Sequence, residues 1–583
     1  MTAGLPRAGS RARRRLGWAL LGLGALAVVL LGWGAAAGAL AAARAQAAQT
    51  RVEEVRSAVE QEDLPAAREA LQAAAAELDG AQRAASALPL VLASHAPGSA
   101  GRVVASLRTT VSSADQAVGE GALPLLGVVI DTDDGRALLR EDGSVDVAAL
   151  ADVADRVRPA AAALAQARRR MAGVDAAGLP GPLAGPVSSA SGAVTDLATT
   201  AQAAESALTV LPAALGAEGP RSYLVAFQNT AELRPTGGII GAWALVGVED
   251  GRTSLQQTGS NDDLEDLEGP VRDLGPEHAA LYPPEQVAHS QNVNLSPHFP
   301  SAGLLLSDLW EAQGRPAPDG VVAVDPSGLA PLLAGEGEVV VPGGPSISAE
   351  TVVDVLLRQA YEDFAADNDA RQEYLSAVVG TAFAEALGGG AFDAAGLSGL
   401  LEAADDGHLV AWSAREDEQA ALVRAGLSGA LPEPAPDTAG VYLTNVSASK
   451  LDYYLTEAVR TAGGCAGSPV TMQVVLHNDA PARVPEYVAS KVDGLPATTE
   501  SLLVALYVPP QRGISQVRVG GQPVAFSAGT ERGWSLARFE VQVPRDAETV
   551  VDVDLSGAAS PLERVLTQPL VDDAEVSTAS CGS

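Results

Sequence analysis

The residues best suited to chemistry gather in and after one stretch, YLVAFQNTAELRPTGGIIGAW, from Tyr223 to Trp243. An apolar strand candidate, Tyr223–Phe227, runs into a polar turn carrying Asn229, Glu232 and Arg234. Gly237 and Gly238 follow, then a second apolar strand. Paired glycines let a backbone take positive φ or approach a ligand closely. Glu232 and Arg234 can face a ligand, or pair with each other to order the turn. A phosphate-handling site needs arginines to neutralise the anion and a carboxylate to hold Mg²⁺. Arg234 and Arg371, with Asp262 and Asp263 as metal ligands, are the catalytic candidates, and Arg358 is a further phosphate contact. Asn229, Glu232, Gly237, Gly238, Asn294 and His298 complete the candidate ligand-binding set.

Other chemistries are poorly served. No Ser/His/Asp spacing or metal-ligand cluster surrounds His298, so a general-base role for it lacks partners. Two cysteines cannot build a cysteine-based zinc site, and no phosphate-cradling or dinucleotide fingerprint is present. Asp131-Thr132-Asp133-Asp134-Gly135 has the glycine one place early for a calcium loop and Asp142 where a glutamate belongs. It reads as a solvated turn.

The elements that would position these residues follow from charge and periodicity. Formal net charge is −34 over 583 residues, which argues against a nucleic-acid partner. Residues 1–15 hold five arginines, and Gly17–Ala43 is uncharged. That is long enough to span a bilayer, and the basic flank stays inside. Localisation is therefore a single-pass cell-membrane protein with its N-terminus inside and its body outside. Cys465 and Cys581 would then sit in an oxidising compartment, as a disulfide or as two free thiols.

The expected fold is multidomain α+β. Residues 1–15 are a cytoplasmic basic tail and 16–43 a transmembrane anchor. Residues 44–218 form a helical stalk or bundle, with apolar residues such as Leu64, Leu71 and Leu78 at helical spacing behind an Asp63 cap. Residues 219–460 alternate strands and helices, which predicts an α/β sandwich core. Its strands include Glu338–Val341, His408–Ser413 and Gly440–Asn445. Residues 461–556 carry strands only and predict a β-sandwich. Residues 557–583 read as a loose tail.

The segment from Arg221 to Tyr454 resembles the exported bacterial family known as domain-of-unknown-function 4012. Carrying motifs are Gln228-Asn229 with Glu232-Leu233-Arg234-Pro235-Thr236-Gly237-Gly238, Asn294-Leu295-Ser296-Pro297-His298-Phe299-Pro300, Asp319–Pro326, and Asn445 with Lys450-Leu451-Asp452-Tyr453-Tyr454. The resemblance implies the anchor, helical region, core and β-rich end, and no activity. Residues 234–388 are more weakly similar to the LytR–CpsA–Psr transferases, which move glycan from polyprenyl pyrophosphate to the cell wall. Asn292-Val293-Asn294, Val321–Leu333, Glu336–Pro342 and Arg371-Gln372-Glu373-Tyr374-Leu375 carry that similarity. The family's early Arg-x-Asp-Thr stands here as Arg234-Pro235-Thr236-Gly237, without the aspartate. Its Pro-Arg-Asp strand end corresponds to Ser260-Asn261-Asp262-Asp263, without the arginine. The similarity implies envelope or exported polysaccharide assembly, with glycan-phosphate transfer by the core. The alternative is a non-catalytic scaffold that binds envelope glycan or protein.

Overall fold

The computed structural model describes residues 36–579 except 59–60, 62, 133–135, 270, 334–336, 388–393, 466–467 and 558–559. Most of the expected membrane span falls outside these residues, as does Cys581; Cys465 is disulfide-bonded. Among the described residues no helix is long and apolar enough to cross a membrane. The chain divides into two compact units, one of residues 1–133 and 151–205, the other of 134–150 and 206–583.

The first unit is helical. It holds α1 (36–58), α2 (Leu64–Ala85), α3 (Leu88–Ser94), α4 (Ser99–Gln116) and α5 (Leu123–Asp131), with most of α6 (Val147–Met171) and α7 (Gly181–Ala214). Asp63 caps α2 by accepting from the Ala66 N–H at 2.9 Å, and Pro65 fills the first turn. Ala67, Leu71, Ala74 and Leu78 form its buried stripe. Small residues elsewhere let helices approach closely: Ala161, Ala167, Ala198 and Ala201 surround Leu164 and Met171. A Cβ on Gly121 would lie 2.5 Å from the Leu164 side chain, so that contact requires glycine.

The second unit begins with a five-stranded mixed sheet. Its strands are β1 (Arg221–Arg234), β2 (Gly237–Glu249), β3 (Arg252–Ser260), β4 (Gly320–Val324) and β5 (Leu409–Ser413), in the order β3-β2-β1-β4-β5. Only β1 and β4 are parallel. Side chains alternate faces along each strand. Leu224, Ala226, Val321 and Ala323 pack under α9 (Phe299–Ala312), which follows the short α8 (Pro276–Leu281). Trp243 meets Trp310 of α9 edge-to-face at 4.8 Å. Val225, Phe227, Ala244 and Val324 face the opposite layer. That layer contains α10 (Pro326–Leu329), then α11 (Val352–Asp354) and α12 (Ala360–Asp363) joined by a π turn, then α13 (Asn368–Leu387). Helices α14 (Ala394–Asp405) and α15 (Glu416–Ala425) flank β5 in sequence. Burying each large apolar side chain contributes about 1.5–3 kcal/mol, so both faces stabilise the sheet.

The β-sandwich starts earlier than the sequence suggests. Strand β6 (Thr438–Asn445) does not complete the first sheet; it pairs with β9. With β7 (Leu455–Ala462), β8 (Val470–Asn478), β9 (Glu500–Val508), β10 (Arg512–Val519), β11 (Gln522–Pro523), β12 (Ser527–Glu531), β13 (Trp534–Val543) and β14 (Ala547–Gly557) it builds two facing sheets. Val441, Leu443, Val504 and Val541 from one meet Val459, Val474, Val551 and Val553 from the other. The reason is burial: all of β6 is buried, and its alternate residues fit the sandwich core.

Two further expectations are corrected. Glu338–Val341 forms no strand; Val339 alone bridges Ile347, because Pro342-Gly343-Gly344 turns the chain at once and Val340 points to solvent. The tail is not loose throughout. Strands β15 (Arg564–Leu566) and β16 (Glu575–Ser577) pair in parallel with β6 and β7, and Leu562 and Leu570 are buried in the sandwich core.

Strand β1 ties the two parts of this unit together. Its first half lies in the mixed sheet, while Leu233 near its end belongs to the sandwich core. Between Asn229, opposite Ile239, and Leu233, opposite Gly238, the residues Thr230, Ala231 and Glu232 have no partner on β2. This bulge bends the strand and re-aims its side chains.

Candidate functional site

A cavity of about 400 Å³ opens where β1 passes from the mixed sheet to the sandwich. One wall is apolar, with Phe227, Ile239, Leu356, Leu357, Leu375 and Val379. The other carries Asn229, Glu232, Tyr361, Arg371, Lys450, Tyr487 and Lys491.

The polar wall is assembled from distant segments by a small set of bonds. Asn229 Nδ2 donates to Glu232 Oε1 at 3.3 Å and to the Tyr361 hydroxyl at 3.2 Å. Its Oδ1 accepts from the Ala231 N–H, which shapes the bulge. Glu232 pairs with the buried Lys450 Nζ. Tyr361 and Tyr487 stack at 6.0 Å between ring centres. The Arg371 guanidinium lies 3.9 Å from the Tyr487 ring centre and 5.0 Å from that of Tyr361; Lys450 lies 5.2 and 5.0 Å from the same rings. Such cation–π contacts each contribute about 0.5–2 kcal/mol.

Both lysines of the chain line this cavity. Their loops are laced together, because the Lys450 N–H donates to Val488 O at 3.0 Å and the Lys491 N–H to Ser447 O at 2.8 Å. The Lys450 loop is in turn fixed from below. Asn445 Nδ2 donates to Asp452 Oδ2 at 2.7 Å, and the same oxygen accepts the Leu233 N–H at 2.8 Å. Glu500 accepts from the hydroxyls of Ser447 and Ser449. Burial pushes the Asp452 carboxyl well up, the Glu500 charge adding to it, and draws the Lys450 ammonium down to about 7 against the charge of Asp452.

Arg371 is 2% exposed; among the described residues its one side-chain hydrogen-bond partner is Asn368 Oδ1, and no carboxylate pairs with it. Asp325, also lining the cavity, is already committed. It caps α10 by accepting from the Gly328 N–H at 3.0 Å and accepts from His408 Nδ1 at 2.6 Å. Burial would lower the His408 pKa, but the bond to Asp325 and the charges of Asp325, Asp573 and Asp406 raise it overall.

Of the residues singled out by sequence, Asn229, Glu232 and Arg371 meet in this cavity, and the others do not line it. Arg234 is spent on the protein itself: it donates to the carbonyls of Leu233, Gln291 and Asn445 and to Asn292 Oδ1 at 3.1–3.3 Å. Burial lowers its pKa to about 10, with Asp452 opposing. The Glu232–Arg234 pair is therefore not formed; Glu232 pairs with Lys450. Gly237 takes φ +127°, and a Cβ on Gly238 would sit 2.0 Å from Asn229 O. Their role is the turn between β1 and β2. Asn294 Nδ2 donates to Thr236 Oγ1 and Gly238 O, holding that turn from beneath. His298 Nδ1 accepts the Leu431 N–H at 3.1 Å, and burial lowers its pKa to about 3. Arg358 is held by Asp354 at 2.6 Å and Glu362 at 2.7 Å. Asp263 closes a capping box by accepting from the Ser260 N–H at 2.7 Å, and Asp262 is exposed. These two form no metal cluster, and none is found among the described residues.

Residues 218–361 match the model of the family described as protein of unknown function DUF4012. No curated protein and no solved structure matches the chain. The DUF4012 segment supplies Asn229, Glu232 and Tyr361, while Arg371, Lys450, Tyr487 and Lys491 lie beyond it in sequence. Sequence reasoning passed over Lys450, Lys491, Tyr361 and Tyr487 as site residues. The available signal was rarity: a chain with 38 basic residues keeps only two as lysine, and these two converge.

Proposed function

We propose that the chain is an outward-facing envelope protein, anchored through residues 16–43, whose cavity binds a ligand that is part apolar and part anionic. A polyprenyl-phosphate-linked glycan has that composition. One observation carries the reading. In a chain of net charge −34, Arg371 and both lysines line a single cavity, and among the described residues no carboxylate pairs with the buried Arg371. A buried cation is costly unless an opposite charge offsets it, and a bound phosphate would do so. The apolar wall of Phe227, Ile239 and Leu375 suits a hydrocarbon segment. Binding, rather than glycan-phosphate transfer, is the better-supported role, because Arg234, Arg358, Asp262 and Asp263 do not line the cavity.

The test is calorimetric titration of the protein with farnesyl pyrophosphate, with and without Mg²⁺, and with farnesol as the uncharged counterpart. Expected are at least tenfold tighter binding of the pyrophosphate, a loss of about 1.4 kcal/mol or more in the exposed Lys491→Glu variant, and independence of Mg²⁺. Equal affinity for farnesol, or indifference to Lys491→Glu, would remove the anionic part of the reading. A strict Mg²⁺ requirement would return the transfer reading to first place.

A further inference from the structure

Lys450 is in an unusual position for the chain's scarcer cation. Its Nζ sits in the cavity wall, 5% of the residue is exposed, and one carboxylate, Glu232, touches it. Lys491, in the same wall, is exposed. A lysine held at a ligand cavity, beside a single proton acceptor and against aromatic faces, has the arrangement of an amine nucleophile. Glu232 is itself oriented by Asn229 Nδ2, which also donates to the Tyr361 hydroxyl. The amide, the phenol and the carboxylate are thus held together beside Lys450.

We propose that Lys450 captures an aldehyde- or ketone-bearing ligand in this cavity as a reversible imine, with Glu232 as the proton carrier. The chemistry balances without an oxidant or reductant. The Nζ ammonium gives a proton to Glu232, and the amine lone pair forms the bond to the carbonyl carbon. Glu232 returns the proton to the carbonyl oxygen, giving a carbinolamine. Nζ then releases a second proton to Glu232, which passes it to the hydroxyl; water leaves, and a protonated C=N bond remains. Hydrolysis runs the same steps backwards. Burial lowers the ammonium pKa and so favours the first proton transfer, while the charge of Asp452 and the contact with Glu232 oppose it. The ligand class is an aldose, ketose or other carbonyl compound that also carries an anionic group for Arg371 and Lys491, so the inference rests on the cavity being the ligand site.

The experiment uses the full-length chain and pyridoxal 5′-phosphate, an anionic aldehyde whose imine absorbs in the visible, trapped with cyanoborohydride. The chain's scarcity of lysine makes the readout simple: the adduct falls on Lys450, Lys491 or the amino terminus. Expected is one adduct per chain, mapped by peptide mass to Lys450 in the wild-type protein, with the visible band forming at least tenfold more slowly in Glu232→Gln. An adduct confined to Lys491 or the amino terminus of the folded wild-type protein overturns the proposal. It does so without any variant that has to fold. If farnesyl pyrophosphate binds and no Lys450 adduct forms, the imine fails and the binding reading stands. If the adduct forms at Lys450 and farnesyl pyrophosphate neither binds nor slows it, the anionic-amphiphile reading fails instead.

Discussion

Arg234 and Arg371 are both largely enclosed guanidinium groups in the same unit, and they end in opposite company. Arg234 donates to carbonyls of three separate segments and to Asn292 Oδ1, so most of its fork is used by the protein. Arg371 stands against two tyrosine rings in the lining of a cavity, with one amide as its hydrogen-bond partner among the described residues. The same residue type thus does two jobs. The first closes a joint between β1, the 291–292 loop and β6. The second leaves charge for something that is not part of the chain. A buried arginine is informative about ligands only after its acceptors have been counted.

The sharpest way to break this contrast is to remove each arginine in turn. Arg234→Met strands the carbonyls of Leu233, Gln291 and Asn445, so unfolding in urea should be easier by about 3 kcal/mol. Arg371→Gln should cost no more than about 1 kcal/mol in the same measurement, yet weaken farnesyl pyrophosphate at least tenfold by calorimetry. If the two variants exchange places, with Arg371→Gln the less stable, the cavity is structural and the contrast is lost.

A second comparison sets the polar wall against Glu457, on β7. Among the described residues neither Glu457 carboxylate oxygen has a partner, and burial raises the group to about 8. The folded state therefore holds a proton that the unfolded chain releases near pH 4.5. Between those values the folded state binds more protons, so stability falls as pH rises. Glu457→Gln should remove that loss. Its urea midpoint should exceed the wild type's by the equivalent of about 1–2 kcal/mol at pH 8.5, and the gap should vanish at pH 4. A gap that is the same at both pH values would mean the carboxylate finds a partner in solution. The smallest effect is expected for Arg358→Ala. That guanidinium is part-exposed and pairs within one helical stretch with Asp354 and Glu362, which limits the loss to about 0.5–1 kcal/mol, with unchanged ligand affinity.

Local signals carried much of the architecture. The Asp63 and Asp325 caps, the strands either side of Gly237-Gly238 and the alternation of the last strands are short-range features written in neighbouring residues. The boundary at β6 was not legible, because a fully buried strand reads the same whichever sheet receives it. The tail was missed for a related reason. Its pairing with β6 and β7 is between segments more than one hundred residues apart and leaves no periodic trace. For the site, Asn229, Glu232 and Arg371 could be named from residue type. What separated Arg371 from Arg234 was the identity of their neighbours, which only the fold supplies. Lys450 escaped because its partners, Glu232 on β1 and Tyr361 on α12, are far from it and from each other in sequence.

One strand has a consequence for how this molecule could be divided or borrowed. Because β1 begins in one sheet and ends in the core of the other, with the Leu233 N–H held by Asp452, neither part of the second unit is a module. A chain cut between β5 and β6 would expose Leu233 and leave the bulge without its clamp. A sandwich expressed alone would lack a core side chain and half of the cavity wall. Recombination, fusion or insertion at that apparent boundary is thus closed to this protein, and its two layers must be inherited, folded and lost together.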